Sequence, residues 1–172
     1  MSIEIVLFDK SITAKAKVDA ISKILLMDSH GMSEIVDIID NLKDTDKANC
    51  IEAIEFATKQ NPKVATLSCL DLVTKSLLSK SPRVKWESAK VIGNIAFLFP
   101  KKLDQSIVNL LLNTEFPGTV VRWSAAFALG EIIKLKSPKS IELIPVVDAI
   151  LLREEKNSIK KIYLKALKEI RS

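Results

Sequence analysis

The chain has 172 residues, 48% of them hydrophobic and 27% charged, with a formal net charge of +5. That balance is globular rather than disordered, and the length suits one continuous core. Four glycines are too few for a turn-rich β protein, and no apolar run reaches the ~18–20 residues of a membrane span.

In chain order, apolar periodicity and helix start signals predict helices over 2–9, 11–27, 33–43, 46–60, 62–79, 82–98, 101–114, 119–136, 139–154 and 156–171. The first stretch, Met1–Lys10, carries Glu4 and Asp9 and no basic lead, so it does not read as a signal peptide. A cytoplasmic protein is the expectation. Asp28-Ser29-His30-Gly31 reads as a helix end, with Gly31 in a left-handed cap and His30 at the negative end of the dipole. Asp44 and Asp46 read as turn and cap residues.

Cys50 and Cys69 each sit in an apolar helical pattern and are expected as buried, reduced thiols. One histidine and two separated cysteines do not make a zinc site, so no metal is expected. Asn61-Pro62, Ser81-Pro82 and Ser137-Pro138 each place a capping residue before a proline, which sets helix starts near 62, 82 and 138. Pro145 falls inside the ninth pattern and is predicted to start or kink that helix. The last helix is basic: residues 153–171 hold seven Lys or Arg against three Glu. Such a helix serves as a polar end cap or as an anion-binding face. The connections are short, so one domain over 1–172 is expected.

Two segments repeat. Val84-Lys85-Trp86-Glu87-Ser88-Ala89-Lys90-Val91-Ile92-Gly93 and Val121-Arg122-Trp123-Ser124-Ala125-Ala126-Phe127-Ala128-Leu129-Gly130 share Val, a base, Trp, Ala and Gly at an offset of 37 residues. A period of this size marks stacked supersecondary units. Stepping back 36 residues places Ala48, Ala53 and Ala57 at the Val, Ala and Gly places, and 37 more gives Ser11, Ala16 and Ala20. Stepping forward 38 gives Ile159, Leu164 and Lys168, where the small pair is lost, as suits a terminal unit. The small residues lie four apart on one helix face, where they admit a close neighbour.

Val121-Arg122, Ala125-Ala126, Ala128-Leu129-Gly130 and Ile132 resemble the second helix of HEAT-like repeats, in particular the subtype first named from phycobilin lyases. The copy at 82–98 is a good match, and those at 46–60 and 156–171 are degenerate. The resemblance implies an all-α fold: about five helical hairpins stacked into a right-handed α-α superhelix, with the second helices on the concave side. It implies a scaffold that binds proteins or peptides. Other branches contact nucleic acid, serve lyase systems or excise alkylated bases from DNA.

Candidate site residues follow from the repeat columns. The third column holds Thr13, Cys50, Trp86, Trp123 and Lys161, and the seventh holds Lys17, Ile54, Lys90, Phe127 and Lys165. The two columns share a helix face. Trp86, Trp123, Phe127 and Lys90 are therefore either a concave binding patch or packing between units. The second column, with Lys85, Arg122 and Lys160, is either a row bridging to neighbouring acids or a phosphate-tracking groove beside stacking aromatics. The base-excising branch needs a carboxylate beside aromatics, where this chain has Lys90 and Phe127. Ser88 and Ser124 lack a histidine in register. The expectation is a non-enzymatic adaptor for a protein or peptide, without cofactor or small-molecule substrate; nucleic-acid binding is the alternative.

Overall fold

Side-chain caps fix the start of four helices of this chain, through Thr13, Thr66, Ser81 and Ser137. The computed structural model describes residues 1–172 as ten α-helices without a strand. They are α1 (Ile3–Phe8), α2 (Ala14–Met27), α3 (Gly31–Ile38), α4 (Asp44–Gln60), α5 (Leu67–Ser76), α6 (Pro82–Ile95), α7 (Asp104–Asn113), α8 (Thr119–Ile133), α9 (Pro138–Arg153) and α10 (Asn157–Arg171). Ser81 accepts from the Val84 N–H and Pro82 fills the first turn of α6. Ser137 and Ser140 form a capping box at α9 behind Pro138. Both starts are as the sequence predicts.

Four local expectations change. Asp44 and Asp46 lie inside the first turn of α4, with Lys43 at the cap position, where their charge suits the positive end of the dipole. Asn61-Pro62 opens only a 3₁₀ turn, Pro62–Val64, and α5 starts at Leu67 with Thr66 as its cap. Gly31 opens α3 instead of closing α2, and no glycine has a positive φ. Its use is its size: a Cβ there would stand 3.3 Å from Leu25 Cδ2. The one left-handed residue is Lys136, φ 56°, just past α8. Pro145 neither starts nor ends α9, which runs through it. Pro145 and Ile141, whose carbonyl loses its donor, both lie on the exposed face, where water satisfies the freed acceptor.

α2, α4, α6, α8 and α10 pack side by side in chain order as one layer. α1, α3, α5 and α7 follow one another outside them, and α9 sits on α8 and α10. Contact is far more extensive within the first layer than within the second. Closer spacing on one side curves the stack, so the free face of the first layer is the concave face. One apolar core cluster runs from Ile3 to Leu167 through all ten helices. No helix is long and apolar enough to cross a membrane.

Polar bonds join the outer helices where apolar packing is thin. Thr74 and Ser106 hydroxyls meet at 2.6 Å, and the Asn109 and Asn113 amides donate to Thr74 O and Leu77 O. Asn94 of α6 donates to Glu55 O and Thr58 Oγ1 of α4, both at 3.2 Å. These buried partners lock the register of adjacent units, because a slip would orphan them.

Candidate functional site

Trp123 and Phe127 lie four residues apart on α8, so both rings leave the same face. They stack, with centroids 6.1 Å apart and planes 13° from parallel. Phe127 is the half-buried member and lies over Gly93 of α6, where an added Cβ would sit 2.3 Å from Phe127 Cε1. Gly93 thus makes the floor of the stack, and Trp123 rides above it, 40% exposed. Stacking of this kind pre-orders a flat apolar surface. Beside Trp123 a cleft of about 400 Å³ opens between the starts of α8 and α10, lined by Thr119, Val120, Lys156, Ser158 and Ile159.

Trp86, one unit earlier, is half-buried and donates from Nε1 to Glu87 Oε1 at 2.9 Å. Lys90 Nζ lies 3.4 Å from Glu87 Oε2 and 4.0 Å from Glu55 Oε2. Glu87 is only 4% exposed. Burial pushes its carboxyl above the usual glutamate range, against the charge of Lys90 and the Trp86 bond, which pull it down. Arg83 bonds Glu52 and Asn49 across the α4–α6 joint. The middle of the concave face is thus a mixed-charge floor with its own pairs made.

In α4 the third and seventh columns, Cys50 and Ile54, are fully buried. Glu52 and Phe56 emerge in their stead, Phe56 being 41% exposed. The shift is two residues, a turn of roughly 200° about the helix axis. The small-residue register at 46–60 therefore misplaced this surface. The phase of the apolar residues of α4 itself, Ala48, Ile51 and Ile54, is the signal that points Glu52 and Phe56 outward. Both thiols are buried, and burial pushes Cys50 and Cys69 up to about 12.

Two of the three second-column cations, Lys85 and Arg122, are turned to the protein itself. Lys85 Nζ donates to Leu77 O at 3.0 Å and to Asn113 Oδ1 at 3.1 Å, and lies 5.4 Å from the Phe116 ring centre. Burial lowers the pKa of its ammonium. Arg122 donates to Phe116 O at 3.1 Å, Pro117 O at 2.8 Å and Glu154 Oε2 at 3.0 Å. Lys17 does the same for Leu7 O at 2.6 Å. In these three units an inner-helix cation bonds carbonyls at the end of the preceding outer helix or just past it, where the dipole is negative. Lys85 and Arg122 therefore do not join a phosphate-facing row. Lys160 is half-buried and has no carboxylate partner.

Ser124 Oγ donates to Val120 O and Val121 O, and Ser88 Oγ is buried without a partner. His30 stands at the α2–α3 turn with Nδ1 3.3 Å from Asp28 Oδ1. The structure assembles no serine with a base.

No family model and no curated protein matches the sequence. Solved structures do match. A designed armadillo repeat protein in complex with the peptide (KR)4 superposes with a TM-score of 0.70 at 20% identity, over 92% of this chain and 75% of that one. Computationally designed armadillo repeat proteins for modular peptide recognition give 0.70 at 18% identity, over 97% and 80%. An engineered protein gives 0.75 at 20% identity over 99% of this chain, which spans 48% of that protein's length. The likeness establishes the architecture: the chain is a helical-repeat solenoid.

Proposed function

We propose that the protein is a non-enzymatic scaffold that binds an extended peptide along its concave face. The observation that carries this reading is the exposed Trp123 ring, held on Phe127 above Gly93 beside an open cleft. A large ring held rigid before binding loses little entropy on contact, which is what a binding anchor requires. The designed neighbours that bind or were made to recognise peptides support the same use of this architecture. Two helices per unit support HEAT-like hairpins, since armadillo units carry three helices.

Trp86, with its indole N–H already bonded, contributes its ring edge to the same face; Lys90 neutralises the floor. Lys85 and Arg122 support the site indirectly, by seating α6 and α8 against the outer helices. The test is selection from a short random-peptide library on wild type and on a Trp86→Ala/Trp123→Ala variant of unchanged circular dichroism. Enrichment on wild type and its loss on the variant is the expected result. Equal enrichment on both proteins, or none on either, refutes the reading.

A further inference from the structure

The charge of the concave face changes along the solenoid. Across α4 and α6 the carboxylates Glu52, Glu55 and Glu87 are matched by Arg83 and Lys90. At α10 the matching stops. Of the charged residues on that helix, only Glu169 and Arg171 form ion pairs, with Lys134 and Asp148. Lys161, Lys165 and Lys168 are exposed, Lys160 is half-buried, and none of the four forms an ion pair.

These cations are placed beside the aromatic anchor. Lys156 lines the same cleft as Trp123. Gly130 of α8 faces Ile162 and Ala166, which seats α10 directly against α8. Lys161 and Lys165 occupy on α10 the columns that Trp123 and Phe127 occupy on α8. An apolar slot rimmed by unpaired ammonium groups is complementary to an apolar side chain flanked by carboxylates.

Resting on the peptide-binding reading, we propose that the α8–α10 end of the concave face selects an acidic peptide segment, with an apolar side chain in the Trp123 cleft and carboxylates opposite Lys156, Lys161 and Lys165. The electrostatic contribution acts at long range and in the rim, so it governs encounter and choice of partner more than packing does.

The experiment compares the peptides enriched on wild type with those enriched on a Lys161→Glu/Lys165→Glu variant, then measures both sets by fluorescence anisotropy at two salt concentrations. Both substituted side chains are exposed, and circular dichroism confirms the fold of the variant. Wild type is expected to enrich peptides of net negative charge that contain a large apolar residue. The variant should bind them about tenfold or more weakly, the wild-type affinity falling as salt rises. Neutral or basic enriched peptides, or acidic ones that bind the variant equally well, overturn this proposal while leaving the scaffold reading intact. Absence of any enrichment overturns the scaffold reading itself. A fluorescein-labelled single-stranded oligonucleotide that binds wild type more tightly than the enriched peptides, and loses affinity in the variant, reassigns the lysines to nucleic acid and overturns the proposal.

Discussion

Gly93 and Gly130 stand at the same place in successive inner helices, yet they face different neighbours. The Phe127 ring already fills the space a Gly93 side chain would need, with the nearest atom at 2.3 Å. At Gly130 an added Cβ would meet Ala166 Cβ at 3.5 Å, an ordinary contact. Gly93→Ala is therefore expected to push Phe127 aside, break its stack with Trp123 and cost about 1–3 kcal/mol by overpacking. Gly130→Ala is expected to leave stability unchanged or raise it by up to about 1 kcal/mol, because alanine is the better helix former. Urea midpoints of the two variants check this, and a Gly93→Ala protein as stable as wild type contradicts the packing argument. That both places need small residues was legible from the repeat. Which one lies under an aromatic ring was not, since that depends on Phe127 reaching across from a helix 34 residues further on.

The helices themselves were mostly legible because their signals are local. Ser81-Pro82 and Ser137-Pro138 mark α6 and α9 through bonds within one turn. Asn61-Pro62 carries the same signal but ends in a 3₁₀ turn, and Thr66 supplies the α5 cap. Pro145 shows the opposite case, a local breaker that packing overrides. Leu143, Val147 and Ile150 are buried on one side of α9, and their burial carries the helix on through the proline. Pro145→Ala restores the missing N–H opposite Ile141 O on the exposed face, where Ile141 is 63% accessible. The expected gain is on the order of 1–3 kcal/mol, visible as a higher melting temperature. An unchanged or lower melting temperature would show that α9 already bends around the proline at no cost.

In a solenoid each unit leans only on its neighbours, so the joints decide how the whole molecule comes apart. The last joint runs through Arg122 of α8 and Glu154, between α9 and α10. Burial alone would raise the Glu154 carboxyl, but the Arg122 guanidinium and the Lys156 N–H outweigh it and hold it below the usual glutamate value. A carboxylate whose folded pKa is depressed stabilises the fold above its unfolded value of about 4.3, and that contribution is lost as pH falls through the folded value. Acidification is therefore expected to loosen α9 and α10 before α4 and α6. Amide exchange, scaled to each amide's intrinsic rate, reads this directly. The Glu154→Gln protein should show weakened α9–α10 protection already at neutral pH and a smaller further loss in acid, whereas uniform loss along the chain would contradict it.

Two levels of this protein separate at that point. Periodicity, caps and a recurring Val-base-Trp-Ala-Gly pattern determined a helical-repeat solenoid and named Trp86, Trp123 and Phe127, because these depend on contacts within a turn or on a motif written twice. Only the tertiary structure decided which residues reach the concave surface. A turn of two residues exposes Phe56 and buries Cys50, and the carbonyl ends of outer helices engage Lys85 and Arg122 while Lys161 and Lys165 are left unpaired. Neighbouring helices set that rotation by burying the largest apolar area, and one sequence column cannot carry information about the helix that will lie beside it.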